Sequence, residues 1–133
     1  MWFHIDAVYA GTFAMLPEFR YLIKGVEYFT TFNINSGKML LTGPDCSNMW
    51  VKDKMLLVKH LSQKSSYFTQ DNDTDFKNWT IHLNRYCKAL KAWFVIQAYG
   101  EVGIKEHLRK LVGGGKAVEK IVKSDLRLEI VVK

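Results

Sequence analysis

The sequence predicts an α/β chain: strands come first, in βαββ order, helices follow, and a terminal strand closes the order. Three observations carry this. The first fifty residues contain three apolar, aromatic and β-branched runs of strand length, "WFHIDAV", "YFTTFNIN" and "CSNMWV". A segment bounded by Pro17 and Gly25 separates the first two. Beyond residue 84 the apolar period lengthens to that of an amphipathic helix.

Taken in order, "MWFHIDAVYAG" begins almost at once as a buried strand ending near Ala7. "LPEFRYLIKGV" reads as a short helix, with Pro17 in its first turn and Gly25 at its end. "YFTTFNIN" is the second strand. "GPDCSNMWVKD" supplies a turn and a third strand around Cys46 to Val51. The stretch starting at "KHL" begins helically and turns polar from Ser62 to Asn78, the composition of a functional surface loop. In "NRYCKALKAWFVIQAYG", Tyr86, Ala89, Leu90, Trp93, Phe94 and Gln97 share one helical stripe, and Gly100 is a good stop. A further helix aligns Ile104, His107, Leu108, Leu111 and Val112. Gly113, Gly114 and Gly115 are expected to interrupt it, each costing about 1 kcal/mol against Ala. Lys116 to Lys123 resumes a helical pattern, and "LRLEIVVK" is expected to close as a strand.

The 133 residues suffice for one ordinary domain, and 48% hydrophobic with 24% charged residues excludes a disordered chain. Of the +6 net charge, residues 105–133 carry eight Lys/Arg against four Asp/Glu. Those cations alternate with apolar residues at helical spacing, so they read as a solvated helix face and no nucleic acid is expected as a partner. Cys46 and Cys87 form no CxxC pair and read as reduced thiols of a cytoplasmic protein. The sequons at Asn72 and Asn78 are then chance matches. No apolar run reaches membrane-spanning length, so no membrane partner is expected. Three front strands make a poor independent sheet, and runs such as "WFHIDAV" suit strands covered on both faces. The chain reads as a slice of a larger α/β domain.

Lys38 breaks an apolar pattern between "FNIN" and "MLL". A lysine there either snorkels outward or is held for chemistry. Asp6 ends the first strand and Lys38 follows the second, and ligands of α/β sheets sit beyond the carboxyl ends of strands. Pyridoxal phosphate needs both groups: an amine to form a Schiff base with its aldehyde, and a carboxylate to keep its ring nitrogen protonated. As bare spacing, an Asp and a Lys at strand ends are more often turn and surface residues.

The surrounding motifs are more specific. "HIDAVYAG", "PEFRYLIKGVE", "FNIN" followed by Lys38, "DCSNMWVKD" and "KAWFVIQAYG" together resemble the group II pyridoxal-phosphate decarboxylases, the aromatic-L-amino-acid (or tyrosine) decarboxylase family. Its corresponding motifs are H-V-D-A-A-Y-A-G and F-N-x-N-P-H-K-W. The resemblance covers nearly the whole chain in order. It implies a fragment of the large domain of a fold type I pyridoxal-phosphate enzyme, with residues 1–124 in that domain and 125–133 opening the small C-terminal domain. It implies pyridoxal 5'-phosphate as cofactor, an aromatic amino acid as substrate, amine and CO2 as products, and a cytoplasmic homodimer. By the same resemblance Asp6 is the partner of the pyridinium nitrogen, Lys38 the Schiff-base lysine, and Asn35 a phosphate contact. His4 is either a pocket residue or a hydrogen-bonded strand histidine. Tyr67 matches a tyrosine on the family's active-site loop that protonates the product carbon, where phenylalanine is associated with aldehyde-forming relatives.

Some positions depart from the family. Gly37 and Ser36 replace its histidine and proline, which is expected to remove a side chain near the phosphate and loosen the lysine loop. Val8 replaces its second alanine and adds bulk below the ring plane. The family's W-Q-I-P-L-G-R-R is Trp79 to Tyr86 here, with one arginine kept at Arg85. The family's cofactor-stacking histidine and serine-rich phosphate site correspond to positions ahead of residue 1. The leading expectation is therefore a partial decarboxylase, inactive when isolated. The alternatives are a non-catalytic truncated product acting by association, and an aromatic aldehyde synthase of the same family.

Overall fold

β1 (His4–Asp6) and β2 (Thr31–Asn35) run parallel, in a register that sets His4 against Thr31, Ile5 against Phe32 and Asp6 against Asn33. The computed structural model describes residues 1–61, 78, 80 and 86–131. β3 (Ser47–Val51) lies antiparallel on the other side of β2, from Thr31–Val51 to Asn35–Ser47, so the sheet order is β1-β2-β3. Phe32 meets Trp50 across the antiparallel pair and Phe29 beside it, with ring centroids 5.8 and 5.9 Å apart.

Parallel strands need a crossover, and a helix was expected to supply it. The connection is instead three consecutive 3-10 segments, Gly11–Met15, Pro17–Ile23 and Val26–Tyr28. Pro17 holds Leu16 extended (ψ 126°) and so separates the first from the second. Gly25 adopts φ 90°, a left-handed conformation open to glycine, and separates the second from the third. After β2 the chain turns at once into the four-residue helix α1 (Ser36–Met39). After β3 comes α2 (Lys54–Leu61), as the helical start at "KHL" leads one to expect. The polar loop from Ser62, Tyr67 and the start of the next helix at Asn84 lie outside the described residues, apart from single positions.

α3 (Lys88–Ser124) bears out one expectation and corrects another. Gly100 does end a first helical segment: with φ 61° and ψ −179° it leaves the helical conformation for a region only glycine occupies readily, and the expected further helical segment follows it across a kink. Gly113, Gly114 and Gly115 do not interrupt the helix. Their backbones close the helical ladder without side chains, between good helix formers such as Leu111, Lys116 and Ala117. The expected terminal strand is absent among the described residues. Asp125 caps the helix, its carboxylate pairs with Arg127, and Leu128 N–H bonds back to the Asp125 carbonyl at 3.0 Å. That local turn takes the backbone groups a strand would have offered to a sheet.

The core lies where the crossover meets the segment of α3 that follows Gly100. Leu16, Ile104 and Leu108 form it, with Phe13, Phe19, Met39 and Leu40 packed around. Arg109 of α3 clasps Glu18 of the crossover through two bonds of 2.8 and 3.2 Å. The stripe from Tyr86 through Leu90, Trp93 and Phe94 is exposed instead of buried, and no cover for it exists among the described residues.

Two measurements follow. Gly100→Ala should destabilise the chain by about 1–3 kcal/mol through backbone strain, whereas Ala at 113, 114 or 115 should each stabilise it by about 0.5–1 kcal/mol; thermal melts by circular dichroism read both signs. The Arg109 guanidinium holds the Glu18 carboxyl below the usual glutamate value. A carboxyl lowered in the folded state favours folding above its unfolded value and loses that benefit as pH falls through the lowered one. The stability difference between wild type and Arg109→Gln should therefore exist at neutral pH and vanish in acid below the carboxylate range.

Candidate active site

Because β1 and β2 are parallel, their carboxyl ends share one edge of the sheet, and the candidate residues Asp6 and Lys38 lie along that edge. Asp6 is the last residue of β1. Its Oδ1 accepts the Val8 N–H at 3.1 Å, an Asx-type turn that fixes the carboxylate while leaving it exposed. Beside it a cavity of about 370 Å³ opens, walled by Asp6, Ala7, Tyr9, Leu22, Lys24 and Phe32 among others. The wall is mostly apolar, with one acid and one base.

Lys38 lies at the corresponding end of β2. Its short helix begins with the Asn35 side chain, whose Oδ1 accepts the Gly37 N–H at 2.9 Å. Ser36 N–H bonds the Cys46 carbonyl at 2.8 Å, and Asn48 Nδ2 donates to Ser36 Oγ at 2.6 Å. Met39 and Leu40 pack on the Leu16–Ile104–Leu108 core while Lys38 is exposed. The apolar neighbours of Lys38 thus face the core and the amine points outward, which resolves the break in the hydrophobic pattern. Its Nζ stands 5.5 Å from the centroid of the Tyr9 ring.

Gly37 corrects an expectation. A loose loop was expected from glycine here, yet a Cβ at this position would lie 2.2 Å from the Gly43 carbonyl oxygen. The turn bringing Gly43 there is bent by three positive φ values, at Leu41, Gly43 and Asp45. The segment is closely packed, and the room that a side chain at 37 would need is taken by backbone.

The four described site residues are divided. Asp6 is in the cavity wall; Lys38 adjoins the wall through Tyr9; Asn35 and His4 are outside it. His4 Nδ1 is 2.8 Å from Thr31 Oγ1, which also accepts the Trp2 indole N–H at 3.0 Å. Tyr67 lies outside the described residues. Sequence reasoning missed Tyr9, although its place three residues after Asp6 was a usable signal. It also missed Asn33, the register partner of Asp6, whose Oδ1 is buried without a partner.

An acid and an amine at adjacent parallel strand ends form a donor set for an aldehyde cofactor with a basic ring nitrogen. Asn35, with its oxygen engaged by Gly37, has no partner for its amide nitrogen among the described residues, and that nitrogen can donate to an anion. The residues present therefore fit pyridoxal phosphate.

Comparison with known proteins gives the family. The chain belongs to the pyridoxal-dependent decarboxylases, since the model of their conserved domain matches residues 1–133. Tyrosine decarboxylase 2 of Narcissus pseudonarcissus is 40% identical over 99% of this chain and 27% of its own length. The crystal structure of Oryza sativa TDC with PLP and tryptamine superposes with a TM-score of 0.94 at 34% identity, over 99% of this chain and 28% of that one. Rhodiola rosea 4-hydroxyphenylacetaldehyde synthase superposes at 0.87 with 32% identity, over 100% and 27%. The chain thus spans between a quarter and a third of the length of the relatives it matches. The fold is that of part of the large domain of these enzymes.

Gly37→Ala should cost about 1–3 kcal/mol, the range for a side chain forced into a packed site. The Gly37→His change toward the family pattern should cost at least as much; equal denaturant midpoints for wild type and both variants would contradict the contact.

Proposed function

We propose that this chain is the lysine- and aspartate-bearing part of a pyridoxal-phosphate decarboxylase acting on aromatic L-amino acids, with amine and CO2 as products, and that the whole enzyme works as a cytoplasmic homodimer. Residues 1–124 are assigned to the large domain and 125–133 to the start of the small one. The observation carrying this is the placement of Asp6 and Lys38 at the carboxyl ends of neighbouring parallel strands, in a chain of this family.

When bound, the cofactor supplies an aldehyde for covalent capture and a ring that withdraws electrons from the substrate carbon. Lys38 offers the amine at the strand edge. Asp6 holds a proton on the facing nitrogen, its orientation set by the Val8 N–H. Asn35 donates from its free amide nitrogen toward the phosphate. His4 supports β1 from beside the site through Thr31. We assign to Tyr67 the delivery of a proton to the product carbon. The family resemblance, in which phenylalanine at this loop position is associated with aldehyde-forming relatives, supports this role: in the assembled enzyme, Tyr67→Phe should shift product toward aldehyde, with amine alone at an unchanged rate contradicting the role.

The chain alone should not decarboxylate. Among its described residues only Leu16, Cys46, Ile104 and Leu108 are buried apolar side chains. The chain spans 27% of the length of a relative it matches, so groups that the rest of such an enzyme would bring to the site are not held by it, and positioning is worth several kcal/mol of barrier, up to about 7–11. The test is to supply pyridoxal phosphate with tryptophan, tyrosine or phenylalanine and measure CO2. None is expected, while borohydride should still trap cofactor on Lys38 and the label should disappear in Lys38→Ala. Label that persists undiminished in Lys38→Ala would contradict the assignment.

A further inference from the structure

Tyr9 is exposed over 66% of its surface, so the core does not explain its placement. The turn that carries it is held at both ends. At its start, Val8 N–H bonds the Asp6 carboxylate at 3.1 Å. At its end, Gly11 N–H bonds the Ala7 carbonyl at 2.9 Å. Gly11 itself is pressed close: a Cβ there would lie 2.5 Å from Ala7 Cβ and 3.0 Å from Ile34 Cγ1 of β2. The turn is thereby fixed to both strands that bear the reactive groups, and its ring belongs to two places at once. It walls the cavity with Asp6, and it lies 5.5 Å from the Lys38 amine, within the range of a cation–π contact.

We infer that Tyr9 is a positioning residue for Lys38: its ring is the seat that holds the amine at the edge of the Asp6 cavity. The inference rests on the role proposed above for Lys38 and adds what aims that lysine. Without the ring, a long side chain on the exposed face of a four-residue helix samples many rotamers, few of them near the cavity. The opposite consequence is also physical, because a ring that attracts the ammonium could hold it back from reaction. The two differ in sign, so one experiment separates them.

Lys24 provides the internal reference: it is exposed and walls the same cavity. The 133-residue chain is incubated with pyridoxal phosphate. A lysine amine adds to the aldehyde with loss of water, and borohydride then delivers hydride to the carbon–nitrogen double bond, leaving a stable secondary amine. Peptide mapping reads the ratio of label on Lys38 to label on Lys24. The ratio should fall roughly two- to five-fold in Tyr9→Leu, the worth of an exposed cation–π contact. It should stay near wild type in Tyr9→Phe, which keeps the ring, and be no lower in Tyr9→Trp, the strongest ring of the series. Circular dichroism spectra should match throughout. An unchanged or increased ratio in Tyr9→Leu overturns the inference alone, as does a loss in Tyr9→Phe equal to that in Tyr9→Leu. A wild-type chain labelled no more at Lys38 than at Lys24 overturns the role of Lys38, and this inference with it.

Discussion

The parallel pairing of β1 with β2 is the constraint on which the site depends. Parallel strands direct both carboxyl ends to one edge, so residues 32 positions apart in sequence, Asp6 and Lys38, arrive on the same side of the sheet. An antiparallel pair would send them to opposite edges. A slip of one residue would exchange the faces of Asp6 and Ile5. Three 3-10 segments perform the crossover in place of one helix, and their bends at Pro17 and Gly25 return the chain to β2. The buried apolar cluster among the described residues joins Leu16 of this crossover to Ile104 and Leu108 of α3. The core thus supports the connection that keeps the strands parallel.

The same cluster aims the lysine. Met39 and Leu40 are anchored in it, the Asn35 side chain starts the helix, and Gly37 lies against the Gly43 backbone. Lys38 is left as the member of this short segment that faces away. Loss of the family's histidine at position 37 does not slacken the loop, because the backbone of the following turn fills that space. In the proposed enzyme, contact of the lysine loop with the cofactor phosphate would rest on Asn35 and not on a side chain at 37. In the inference drawn above, Tyr9, which shares the cavity wall with Asp6, performs for the amine what the Asx turn performs for the acid.

Strand positions were legible because their apolar runs are short, branched and bounded by turn residues; all three strands fall within the expected stretches. The motif residues Asp6 and Lys38 were legible as chemistry only through the resemblance, since an Asp and a Lys at strand ends are common. Helix continuity was misread at Gly113 to Gly115. Propensity is a local quantity, and it treats these residues as a stop although nothing in an exposed helix forbids them. Gly100 was legible as a helix end because a residue at φ 61° breaks the helix there before a second segment resumes. The last stretch reads as a strand by composition, but strands exist by pairing, and Asp125 with Arg127 directs the backbone into a turn first. The Gly37–Gly43 approach was invisible for a different reason: it depends on three positive φ values that no periodicity encodes.

Diffraction from the whole enzyme bound to pyridoxal phosphate tests the central claim most directly. The account predicts continuous density from the cofactor to Lys38 Nζ, with the ring nitrogen at hydrogen-bond distance, about 2.7–3.2 Å, from the Asp6 carboxylate. Density joined to Lys24, or a ring nitrogen turned away from Asp6, would contradict it.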